Sequence, residues 1–117
     1  MPTKRNLQQL SDSEREIIHR CLRAAIEGPF FPEWEFHTLF GLTRDEVRRI
    51  YNEWPNNSDT DTDVRRAINN AINNLLRYPH GNEDLLQEWI SISPAQLKQL
   101  FETPFRWLDQ IDFDGTT

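Results

Sequence analysis

Set against itself at a displacement of fifty residues, the chain repeats without a gap. Ile18 meets Ile68, Pro29 meets Pro79, Glu33 meets Glu83, Arg15 meets Arg65 and Thr43 meets Ser93. The apolar frame follows: Leu22 on Ile72, Ile26 on Leu76, Phe36 on Leu86, Leu39 on Trp89, Phe40 on Ile90, Leu42 on Ile92, Val47 on Leu97, Ile50 on Leu100 and Tyr51 on Phe101. A shared frame requires the two halves to build the same succession of local structures. A unit of roughly 45 residues buries too little surface to stand alone, so the halves are expected to cover each other.

The period inside each half is helical. Ser11 and Ser13 stand three residues before Glu14 and Glu16, the spacing of a capping box, and Ile17, Ile18, Cys21, Leu22, Ala25 and Ile26 recur on one face until Gly28-Pro29. A short helix carrying Trp34, Phe36, Leu39 and Phe40 ends at Gly41. Thr43 with Glu46 opens a third, striped by Val47, Ile50, Tyr51 and Trp54 and stopped by Pro55. After the polar linker 55–60 the pattern restarts with Val64, Ile68, Ala71, Ile72, Leu75 and Leu76 and stops before Pro79. Asn82 is placed to cap a fifth helix with Leu85, Leu86, Trp89 and Ile90. Ser93, Pro94 and Gln96 open a sixth with Leu97, Leu100 and Phe101, stopped by Pro104. No useful alternating pattern of strands occurs. The expected fold class is all-α: two pseudo-symmetric three-helix units, residues 13–54 and 63–104, packed as a single domain over 11–112. A flexible basic lead-in, 1–10, and a tail, 113–117, flank it.

Composition narrows the functions. The net charge of −6 disfavours a polyanion partner for the molecule as a whole. The single cysteine, Cys21, excludes an intrachain disulfide, and no apolar run reaches the length of a signal core or membrane span. The expectation is a cytoplasmic protein with no membrane contact. Asn56-Asn57-Ser58 matches a glycosylation sequon, which the same reasoning discounts.

Three constellations carry candidate chemistry. Phe36, Phe40, Gly41, Leu42, Val47 and Ile50 place apolar residues on both sides of a tight glycine turn. This stretch of about twenty residues resembles the helix-turn-helix of DNA-binding proteins, which implies that Arg44, Arg48 and Arg49 would face nucleic acid. His37 stands where that family places alanine, and the three arginines of residues 33–54 are outnumbered by Glu33, Glu35, Asp45, Glu46 and Glu53. Asp45 can pair with Arg48 and Arg49 within the helix, so a nucleic-acid role is the alternative reading. Second, Arg66, Asn69, Asn70, Asn73, Asn74 and Arg77 form a polar face opposite the apolar stripe of the fourth helix. Asparagine is a weak helix former, and amides both donate and accept, so this face is a candidate contact surface for a protein or for a second copy. Its counterparts in the first half are His19, Arg20, Arg23 and Ala24. Third, Phe30, Phe31, Trp34 and Phe36 crowd into seven residues. They are expected to fill the core, with any exposed subset of Phe30, Phe31 and Trp34 marking a docking patch.

No catalytic motif occurs, and Glu33 with His37, one turn apart, supplies only two of the ligands that a metal site needs. The expected protein is therefore a small non-catalytic binding module without cofactor or metal, acting on another protein or by self-association.

Overall fold

The computed structural model describes residues 11–57, 61–78 and 80–102. The lead-in 1–10, linker residues 58–60, Pro79, Pro104 and the tail 113–117 lie outside the described residues. All regular structure within them is helical: α1 (Asp12–Glu27), α2 (Glu33–Phe40), α3 (Arg44–Glu53), α4 (Thr62–Arg77), α5 (Glu83–Ile90) and α6 (Pro94–Glu102). The starts of α4, α5 and α6 each lie fifty positions after those of α1, α2 and α3.

Short-range chemistry sets these boundaries. Ser11 begins α1 with a complete capping box: its hydroxyl accepts from Glu14 N–H at 3.1 Å while the Glu14 carboxylate accepts from Ser11 N–H at 2.9 Å. Ser13, equally spaced from Glu16, lies inside the helix. Thr43 with Glu46 makes the same reciprocal pair at α3, and Ser93 with Gln96 makes it at α6. Gly41 ends α2 with φ of 71°, the left-handed region open to glycine, and Ser91 ends α5 at the same φ, where a side chain carries a steric cost. Asn82 departs from expectation. Its side chain makes no cap bond to α5; its amide donates instead to Pro29 O and His80 O, both at 3.0 Å. The amide thereby ties the two halves together rather than starting a helix.

The long helices α1 and α4 lie against each other at the centre. Around them the halves interlock: α2 packs on α4 and α5 packs on α1, so each short helix crosses to the other half's long helix. The third helix α3 touches α1 and α4, and α6 touches α4 and α5. Ile18, Leu22, Ile68, Leu75, Phe36, Phe40, Leu86, Ile90, Val47 and Leu97 are fully buried in one continuous core. Burying a side chain of this size stabilises by roughly 1.5–3 kcal/mol, and here much of that gain is made between halves.

The aromatic cluster joins them. Phe30 and Phe31 leave the α1–α2 loop and enter the core, where Phe30 meets His80 and Trp89 edge-on while Phe31 meets Tyr78 and Phe40. Phe36 stacks on Phe40 at 4.2 Å. Beneath Phe30, His80 Nε2 donates to Leu75 O and its Nδ1 accepts from Asn82 N–H, each at 3.0 Å, which requires the Nε2–H tautomer. Gly28 is needed here: a Cβ on it would lie 2.6 Å from both Ala24 O and the Phe30 ring.

Candidate functional site

The asparagine face of α4 looks inward. Asn69 is only 2% exposed, and Asn73 donates to its side-chain oxygen at 3.0 Å. Asn70 donates to Phe40 O at 2.9 Å and Asn74 to Leu39 O at 3.1 Å. Those carbonyls belong to the last turn of α2, where an α-helix supplies no N–H donors of its own. Because α2 crosses onto α4, the polar face meets a helix end, and amides on a neighbouring helix cap it. Arg66 pairs with Asp63 at 3.7 Å and lies over Gly41, where an added Cβ would come within 3.1 Å of its Cδ. Arg77 is exposed. Of the expected contact face over Arg66, Asn69, Asn70, Asn73, Asn74 and Arg77, the structure turns Asn69, Asn70 and Asn74 to partners within the chain, while Arg77 is exposed.

The three arginines of α3 do not converge. Arg44, with 17% of its side chain exposed, bonds to Glu33 at 2.7 Å and donates to Phe31 O and Ala25 O, both at 3.2 Å, and to Ile26 O. Its guanidinium carbon lies 4.3 Å from the centre of the Phe36 ring. Placed near the end of α1, a delocalised cation with several donors caps free carbonyls and complements the helix dipole. Arg48 reaches Glu27 at 3.4 Å, and Arg49 is exposed. Arg44 is therefore taken out of the group expected to point outward together. His37, at the position where a helix-turn-helix needs a small residue, is exposed, so none of the described helices crosses over it.

Of the three docking aromatics, Phe30 and Phe31 are core residues and Trp34 is not. Trp34 is 78% exposed and is the one large apolar side chain left open among the described residues. It lies on the outer face of α2 with Glu33, His37 and Thr38, all exposed, as are Asp45 and Glu46 in the first turn of α3. The Thr43 backbone N–H holds the Glu46 carboxyl below its ordinary range, and His37 and Arg49 act in the same direction. Glu35, on the inner side of α2, accepts from the Tyr78 hydroxyl, whose pKa is raised by that bond.

A further arrangement lies on the outward side of α1. Arg20 and Arg23 pair with Glu16 and Glu27, Arg23 lies over the Trp89 ring, and His19 stacks on Tyr51. Sequence reasoning met these positions only as counterparts of the asparagines; that Tyr51 and Trp89 flank them depends on how α3 and α5 dock, which no local pattern states.

No group of three or more metal-ligating side chains is found among the described residues, and Glu33 is turned to Arg44 rather than to His37. The Cys21 thiol is buried, and desolvation pushes its pKa up to about 12. No described helix is long and apolar enough to cross a membrane. Comparison with family models, with curated proteins and with solved structures found no match.

Proposed function

We propose that this protein is a non-catalytic binding module that docks a partner protein on the outer face of α2, through Trp34. The observation that carries the reading is the contrast within one aromatic cluster: Phe30, Phe31 and Phe36 are buried while Trp34, in the same stretch, stands 78% exposed. Leaving an indole in water forgoes the gain of burying it, and tryptophan is the side chain most enriched at the energetic centres of protein interfaces. The surroundings select the partner. The chain's net charge is −6 and Glu46 lies near His37 of this helix, so a docking segment that brings arginine or lysine is favoured, its cation over the indole.

The same reading takes the chain as one domain of two repeated units working in the cytosol, where a lone buried thiol such as Cys21 has no call to pair. A nucleic-acid role for α3 draws less support, because Arg44 is turned to the α1 carbonyls and does not point outward with Arg48 and Arg49.

The test is to capture partners with the full chain, purify the protein retained, and measure its binding to wild type and to Trp34→Ala in a two-component assay. Loss of at least about tenfold in affinity with an unchanged melting temperature is expected for an interface anchor. Equal affinities would overturn the reading, as would a partner whose binding is insensitive to charge reversal of its basic residues.

A further inference from the structure

On the outward face of α1 two guanidinium groups are each held by a carboxylate at one nitrogen. Arg20 and Arg23 stand three residues apart on one side of the helix. Each meets its carboxylate through Nε, Arg20 with Glu16 at 3.0 Å and Arg23 with Glu27 at 3.4 Å. Contact at Nε leaves the terminal amino groups of both guanidinium forks for another acceptor. Arg23 is braced from the far side by Trp89, its guanidinium carbon 5.3 Å from the ring centre. His19, stacked on Tyr51 at 4.3 Å, forms the opposite wall. Between these groups is a hollow of about 190 Å³ lined by Glu16, His19, Arg20, Arg23 and Tyr51.

The other half shows what the same positions look like when they serve the fold. Fifty residues on, His19, Arg20 and Arg23 correspond to Asn69, Asn70 and Asn73. Asn70 caps α2 and Asn73 bonds to Asn69, so that face is closed by neutral amides within the chain. On α1 the positions that match Asn70 and Asn73 are the cations Arg20 and Arg23, each in contact with a carboxylate through Nε.

The geometry points to a phosphate monoester bound in the hollow between α1 and Tyr51. A carboxylate, with two oxygens, is satisfied by one arginine fork. A terminal phosphate has three oxygens and close to two charges near neutral pH, so two forks, an imidazole and a phenolic hydroxyl match its acceptors. A phosphodiester carries less charge on fewer free oxygens and gains less from the second fork. Glu16, Glu27 and the neighbouring Glu88 oppose the anion and keep binding readily reversible. The site is independent of the Trp34 face, which lies on another helix.

The experiment follows the Nε–Hε signals of Arg20 and Arg23 by NMR in the full chain, titrated at constant ionic strength with inorganic phosphate, O-phosphoserine and a phosphoserine peptide. Saturable shifts at both arginines are expected, with at least about tenfold weaker binding in Arg20→Gln/Arg23→Gln as charge-assisted bonds are lost. Tyr51→Phe keeps the ring stack and removes a donor, so it should weaken binding several-fold, while Lys98→Gln, away from the hollow, should not change it. A peptide that binds much more tightly than O-phosphoserine identifies the source as a phosphorylated partner side chain; equal affinities identify a small phosphorylated metabolite. Shifts reproduced by chloride, undiminished binding in the folded double variant, or equal binding of a single-stranded oligonucleotide per phosphate would each overturn the proposal.

Discussion

Replacing Asn70 and Asn74 together with alanine isolates the seam between α4 and α2. On propensity alone the change is favourable, since alanine exceeds asparagine by roughly 0.5 kcal/mol at each position, about 1 kcal/mol in total. The structure reverses the sign. Each side chain donates to a carbonyl in the last turn of α2, Asn70 to Phe40 O and Asn74 to Leu39 O, in part-buried surroundings. A lost hydrogen bond that leaves its acceptor poorly solvated costs about 1–2 kcal/mol, so the pair costs about 2–4 kcal/mol. The net expectation is a destabilisation of about 1–3 kcal/mol after the gain in propensity. For a domain of this size that corresponds to a melting temperature lower by on the order of 10 °C.

Thermal and urea denaturation of the double variant measure this directly, and amide exchange locates it: protection should fall first in the last turn of α2. Asn73→Ala is the companion variant. Asn73 donates to the oxygen of Asn69, which is only 2% exposed, so its loss should cost about 0.5–1.5 kcal/mol after the gain in propensity, less than the double variant and with no loss of protection in the last turn of α2. A double variant that melts at or above the wild type would refute the capping role and return these amides to the surface.

Other perturbations probe other links. Arg44→Lys keeps the charge but cannot serve Glu33, Phe31 O and the end of α1 at once, and should lower stability by about 2–4 kcal/mol in urea denaturation. Cys21, with its pKa pushed up to about 12, stays protonated in the fold while an unfolded thiol ionises above about pH 8.5, so stability should fall as pH rises from there toward 12, and less steeply in Cys21→Ala. Native Cys21 should also resist alkylation at pH 8 until the chain unfolds. Ser91→Gly should raise the melting temperature, because relief of a left-handed backbone worth about 1–2 kcal/mol exceeds the added chain entropy of about 0.4–1 kcal/mol.

The helices were legible because their signals are local. Ser11 with Glu14, Thr43 with Glu46 and Ser93 with Gln96 are complete within four residues, and each makes its reciprocal bonds. Asn82 failed as a cap for the opposite reason: its amide is drawn to Pro29 O, fifty-three residues away, a partner that spacing cannot reveal. The polar sites misled in the same way. Helical periodicity placed Asn69, Asn70, Asn73 and Asn74 opposite the apolar stripe, and they are there; but α2 crosses onto that side, so a polar face became an inner surface. Arg44 reads as an exposed helix-start cation until the end of α1 arrives beside it. Trp34 could not be separated from Phe30 and Phe31 by hydrophobicity, only by which side of α2 it occupies.

The two halves of the chain engage their polar groups differently. Core volume constrains the apolar positions of both, whereas polar positions outside the core are free to differ. In the second half those positions on α4 are taken up by the crossing of α2, and amides suit them because a helix end needs donors more than it needs charge. In the first half α5 crosses α1, but Ala24 stands where Asn74 would be, and Arg23 spreads over the Trp89 ring instead of capping a carbonyl. No side-chain amide stands at that position to bond the end of α5, and Arg20 and Arg23 meet carboxylates of their own helix through Nε. The loop before α2 buries Phe30 and Phe31 against the second half, which holds α2 so that Trp34 is turned outward. On α4, by contrast, Asn70 and Asn74 are engaged in holding the end of α2.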